Sequence, residues 1–71
     1  MERNVNQTIG KNIRKLRLKK GLSQMRLAAS ADLSLGFIGS LERGEVGVTA
    51  ESLVKIAKAL EVPPGGLFQG L

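Results

Sequence analysis

Apolar residues recur along this chain at helical spacing, in four stretches separated by polar turns. Ile9, Ile13 and Leu16 fall at i, i+4 and i+7 and form one stripe, which predicts a first helix from about Thr8 to Lys20. The preceding Met1–Gln7 is polar and is expected to be a flexible, frayed segment. Lys19 and Lys20 complement the negative end of that helix, and Gly21 can take the left-handed position that closes it. Ser23 caps a second pattern, Gln24–Ala31, with Leu27, Ala28 and Ala31 facing inward. Ser34 caps a third, Leu35–Arg43, with Ile38 and Leu41 inward. Thr49 caps a fourth, in which Leu53, Ile56, Ala57 and Leu60 repeat, and Glu51 and Lys55 make an outward i, i+4 pair. Pro63 and Pro64 end the regular pattern; Leu67 and Phe68 allow a fifth turn, which Gly65 and Gly66 weaken. No period-two strand pattern is present. The expected fold is all-α: five short helices around one core of Ile, Leu, Val and Ala, with residues 8–71 as a single domain.

Only Asp32 and Leu33 separate the second and third helices, and Arg43 and Gly44 close the unit. Two helices joined by so short a turn have the spacing of a helix-turn-helix.

Charge sharpens that reading. The chain has 71 residues and a net charge of +5. Residues 1–26 hold eight Lys/Arg against the single acid Glu2, whereas residues 27–71 hold three against five acids. A basic half that leads into a helix-turn-helix is the electrostatic footprint of a phosphate-bearing partner. The same charges on an unpartnered protein would be a solvated helix face.

Other classes lose support. The chain has no cysteine and no histidine, so it lacks thiolate ligands, the commonest metal ligand and the commonest general base. An enzyme is not expected, nor a metal or other cofactor, nor a small-molecule ligand. No apolar run approaches the ~20 residues needed to cross a bilayer, and Met1–Lys11 lacks the apolar middle of a signal peptide, so a cytoplasmic protein without a membrane partner is expected.

Taken together, IGKNIRKLRLKKGLSQMRLA, LSLGFIGSLERGE and TAESLVKIAKALEV…LF resemble the xenobiotic-response-element family, the Cro and lambdoid-repressor type of helix-turn-helix regulator. The likeness covers residues 9–68. It implies a compact five-helix domain that binds double-stranded DNA as a homodimer and lays its second motif helix in the major groove of a palindromic operator. It also implies that Gln24 anchors a phosphate from a helix N-terminus, and that Arg17 and Glu42 form a structural salt bridge beneath the motif. Ser34 and Arg26 join the expected interface, with Arg14 and Lys15 on its basic flank. Arg26 departs from the family, which often has Glu there to complete a capping box with Ser23.

With Ile38 and Leu41 inward, helix angles turn Gly36, Gly39, Ser40 and Arg43 outward and leave Leu35 at the flank. Family members read bases from positions 35, 36, 39 and 40. Here those positions offer one aliphatic group and one hydroxyl, so bidentate readout by Gln or Asn on adenine, or by Arg on guanine, is absent from them. Leu35 can meet a thymine methyl, Ser40 a base edge or phosphate, and Arg43 the backbone. Either the glycines admit the DNA closely and specificity comes from its shape, or this face serves a protein partner instead. The loop 44–49 is poor in base, and Glu45 disfavours phosphate contact from it. Leu67, Phe68 and Leu71 either close the core or form a dimer seam.

Overall fold

The computed structural model describes residues 2–71, with side chains from residue 5 onward. Four α-helices follow one another, α1 (Glu2–Lys19), α2 (Gln24–Ala31), α3 (Leu35–Glu42) and α4 (Ala50–Leu60), and a 3-10 helix at Pro64–Phe68 takes the place of a fifth α-helix. The two glycines and the fixed proline φ of that last segment suit a short 3-10 turn better than a longer α-helix.

The apolar stripes meet in one core. Ile13, Leu27, Ile38, Leu41, Ile56 and Leu67 are fully buried, while Leu16 and Leu53 are half-buried around them. Leu67 closes the core without Phe68, which stays exposed. Asn12 holds the closing segment in place: its Nδ2 donates to the backbone oxygens of Leu67 at 2.9 Å and Gln69 at 2.8 Å.

The first helix begins at Glu2, earlier than the apolar stripe indicated. The expectation of a frayed Met1–Gln7 segment lies outside the described residues at Met1; from Glu2 the backbone is helical. Residues 2–7 contain no glycine or proline to stop the helix, and their last turn packs on the loop after α3. A Cβ on Gly44 would lie 2.7 Å from Gln7 Cγ, and one on Gly47 would lie 2.8 Å from Asn6 Oδ1. Tertiary contact, which a stripe of apolar residues does not register, therefore supports the first turns.

The α2–α3 turn rests on Asp32, whose φ of 56° is left-handed. Asp tolerates that region better than most residues because of its short polar side chain. Leu33 N–H donates to Ala28 O at 2.9 Å, which closes α2 and sends the chain straight into the Ser34 cap. Gly10 sets how closely α1 approaches α3: a Cβ there would meet Leu41 O at 2.2 Å and Glu42 O at 2.8 Å. Only a glycine leaves room for that backbone contact.

Candidate nucleic-acid interface

Beneath the motif, Arg17 Nε donates to Glu42 Oε2 at 2.6 Å, and Arg17 Nη2 donates to Glu42 Oε1 at 3.0 Å. Arg17 Nη1 donates to Leu22 O at 2.8 Å, so one guanidinium ties α1 to both the α1–α2 turn and α3. Gln24 Nε2 adds a bond to Glu42 Oε1 at 3.0 Å. The Gln24 amide is therefore half-buried against Glu42, and its second N–H remains to serve the surface above.

Both helix starts of the motif carry one-sided caps. Ser23 Oγ accepts from Arg26 N–H at 3.0 Å, and Ser34 Oγ accepts from Phe37 N–H at 3.1 Å. With Arg at position 26, the Ser23 cap has no reciprocal side-chain acceptor, and the Arg26 side chain stands exposed beside the α2 N-terminus.

The outer face of α3 is sparsely furnished. Leu35 is 47% exposed. Gly36 is exposed, with no atom within 4 Å of where its Cβ would stand. Gly39, which helix angles turned outward, is buried, and this corrects the expectation of a bare outward glycine. The covering group is Arg43, whose Nη1 lies 3.0 Å from the position of a residue-39 Cβ. Arg43 caps the helix C-terminus and folds its side chain back along the strip. Its Nε donates to Glu45 Oε2 at 2.8 Å and its Nη2 to Glu45 Oε1 at 3.2 Å; a longer contact, 3.4 Å, reaches Ser40 Oγ. The hydrogen bond from Arg43 holds the Glu45 carboxyl below its ordinary value, and the same bond raises the Arg43 guanidinium. Both groups are charged at neutral pH.

The basic residues divide by their angle around α1. At 100° per residue, Arg14 lies about 40° from Gly10, on the flank that meets α3. Lys15 lies about 140° away by the same count. It lines an open groove of about 210 Å³ with Asn12, Leu16, Lys19, Gly66 and Gln69. Lys15 thus lies on the side of α1 toward the closing segment, and Arg14 on the flank that carries Gly10. A second open groove, of about 320 Å³, runs between Leu16, Lys20, Leu60 and Val62 and likewise includes no α3 residue.

Sequence reading missed Gly10 and the pairing role of Glu45. Gly10 carries a signal, a lone glycine inside a strongly patterned helix, which marks close backbone approach. Glu45 carries little: a carboxylate two residues after Arg43, across a glycine, has many possible partners. Among the described residues no cluster of metal-ligating side chains occurs, and no helix is long and apolar enough to cross a membrane.

A helix-turn-helix family model matches residues 13–67. The control protein C.BamHI of Bacillus amyloliquefaciens is 38% identical over 69 residues, covering 96% of this chain and 85% of that protein. The control protein C.SmaI of Serratia marcescens is 39% identical over 69 residues, covering 94% and 82%. The crystal structure of the restriction-modification controller protein C.AhdI from Aeromonas hydrophila superposes with a TM-score of 0.86 at 38% identity, over 89% of this chain and 96% of that one.

Proposed function

Because the chain belongs to the Cro/C1-type helix-turn-helix family, close to the restriction-modification controller proteins, we propose that it is a DNA-binding transcriptional regulator of that controller type. It acts on a restriction-modification system and binds as a homodimer. Its α3 enters the major groove, and two-fold related half-sites lie about one helical turn apart, roughly 34 Å between centres.

The observation that carries this reading is the α3 face itself. Leu35 and Gly36 project from a helix that the Arg17–Glu42–Gln24 network fixes rigidly from below. A surface helix held by a buried ion pair, with open space at Gly36 on its outer face, suits insertion into a groove. Gln24 and Ser34 stand at the two helix N-termini, where backbone N–H groups and the helix dipole favour phosphate. Arg14 and Arg26 supply charge along the DNA backbone; Lys15 lies outside that set. Exposed Phe68 and Leu71, beside the buried Leu67, support a seam between protomers at the C-terminal end.

Selection from a random duplex library tests the reading directly, with enrichment of a palindromic site expected. Log affinity for that site falls linearly with log salt, at about −0.9 per phosphate neutralised. Arg14→Ala and Arg26→Ala each flatten the slope by about one contact, and Lys15→Ala leaves it unchanged. Failure to enrich any duplex, together with an affinity indifferent to salt, would point to a protein partner on this face instead.

A further inference from the structure

Both edges of the Arg43 guanidinium are engaged by the protein itself. Glu45 takes the Nε–Nη2 edge with its two carboxylate oxygens, at 2.8 and 3.2 Å. The other edge turns toward α3, with Nη2 3.4 Å from Ser40 Oγ and Nη1 3.0 Å from where a Cβ on Gly39 would stand. The side chain therefore lies over the middle of the α3 strip, and Gly39 is buried beneath it.

Backbone geometry brings Glu45 to this place. Gly44 has a left-handed φ of 76° and turns the chain back, so that Gly44 N–H donates to Leu41 O at 3.1 Å and Glu45 N–H to Ser40 O at 3.0 Å. The Glu45 backbone is thus fixed beside the last turn of α3 by bonds that do not involve its side chain, and little further ordering is needed to close the carboxylate on the fork. Yet the pair stays in water, with side chains 60% and 55% exposed. An ion pair of that kind contributes little to the fold and can exchange partners. A phosphate takes the same two-point edge of an arginine that a carboxylate takes.

Resting on the DNA-binding reading above, we propose that Glu45 is an affinity-setting residue: in the free protein its carboxylate occupies the edge of Arg43 that a DNA backbone phosphate takes in the complex. Binding exchanges one oxyanion for another. Every duplex that Arg43 reaches must break the Arg43–Glu45 pair and lift the guanidinium off Gly39 before α3 seats fully. Glu45 thereby lowers affinity in two ways, by holding Arg43 and by repelling the phosphate directly. Only the first depends on Arg43, and that dependence separates the two.

The test uses the full chain, with circular dichroism to confirm that each variant is folded. In the free protein, carboxyl-detected NMR titration is expected to place Glu45 below a free glutamate, and Arg43→Ala to return it to the ordinary range. A Glu45 midpoint that ignores Arg43→Ala overturns the pair. Affinity for a duplex selected by the parent protein is then measured for the parent, Glu45→Gln, Arg43→Ala and the double variant. Glu45→Gln is expected to tighten binding in both backgrounds, and by about twofold to fivefold more where Arg43 is present, the range of an exposed ion pair. Equal gains in the two backgrounds mean that Glu45 acts by repulsion alone. A smaller gain where Arg43 is present, or a loss, means that Glu45 holds Arg43 in its DNA-bound geometry. Either result overturns the proposal. If neither the parent nor Glu45→Gln enriches any duplex, the DNA-binding reading fails and this inference with it; a parent that enriches a palindrome but shows equal gains sinks this inference alone.

Discussion

Arg17 and Glu42 meet across the α1–α3 contact in a two-point ion pair whose side chains are 7% and 2% exposed. Their charges are withdrawn from water but not left short of partners. Glu42 accepts from Arg17 Nε, Arg17 Nη2 and Gln24 Nε2, and Arg17 also reaches Leu22 O. Full pairing of this kind makes a buried ion pair tolerable, although its net contribution over apolar residues can be small. Its geometric effect is large: one planar fork sets the distance and angle between α1 and α3.

Breaking the pair from one side is therefore expected to be far more harmful than removing it. Arg17→Ala leaves Glu42 buried with only the Gln24 amide, a loss of about 3–5 kcal/mol. A chain of this size has about 4–10 kcal/mol in total, so the variant is expected to melt well below the parent. Arg17→Met combined with Glu42→Leu is expected to recover much of the difference. Thermal melts followed by circular dichroism decide the matter, and a single variant that melts with the parent would show that the pair is dispensable.

Two glycines in the helices are expected to respond oppositely to alanine. Gly10→Ala gains about 1 kcal/mol of helix propensity but drives a methyl group into Leu41 O and Glu42 O, backbone atoms that can move only with α3 itself. Overpacking of that kind costs about 1–3 kcal/mol or more, so net destabilisation is expected. Gly36→Ala meets nothing within 4 Å and is expected to stabilise by roughly the propensity difference, about 1 kcal/mol. Urea denaturation of both variants reads the two signs, and a stabilised Gly10→Ala would show that α1 and α3 can separate freely.

The contrast between those glycines marks where sequence reading stopped. Helix-period stripes and serine caps located α2 and placed Leu27, Ala28, Ala31, Ile38 and Leu41 in the core, because burial leaves a periodic signature in one dimension. Helix angles alone put Gly39 outward. Its burial depends on where Arg43 lays its side chain, which depends in turn on Glu45 beyond the helix end. A run of basic residues on one helix looks uniform in sequence but wraps around the axis, so that Lys15 lines the groove beside Gly66 and Gln69 while Arg14 lies on the Gly10 flank. The early start of α1 escaped notice because polar residues 6 and 7 are supported by loop glycines 44 and 47, nearly 40 positions away.

The Lys20–Glu61 pair joins the end of α1 to the end of α4, at a residue whose φ of 60° is left-handed. The hydrogen bond from Lys20, and then its charge, hold the Glu61 carboxyl below its ordinary value. A folded-state value lower than the unfolded one stabilises the fold above the ordinary carboxylate range, and that contribution is lost as pH falls through the folded value. The pair is solvent-exposed, so it is also expected to weaken with added salt. Carboxyl-detected NMR titration is expected to place Glu61 below a free glutamate, and Lys20→Ala to return it to the ordinary range. A Glu61 midpoint that ignores Lys20→Ala would mean that the two groups do not interact in solution.

Gly36 offers the clearest separation of folding from binding. No atom stands near its Cβ position, so a glutamine there is free to point outward and is expected to stabilise α3 by up to about 1 kcal/mol. Glutamine can also hydrogen-bond adenine, which on side-chain chemistry alone would favour DNA. If the bare backbone at Gly36 lies close against the groove, however, the added side chain must lift the whole helix away from the bases. Gly36→Gln is then expected to melt higher than the parent while binding the selected duplex more weakly, with the loss spread over every position that α3 reads. A protein-docking face would show a different pair of results, with higher stability but DNA affinity weak in the parent and indifferent to the change. Tighter binding by Gly36→Gln with a new adenine preference would show that the groove has room for a side chain at this position, and close backbone approach would be excluded.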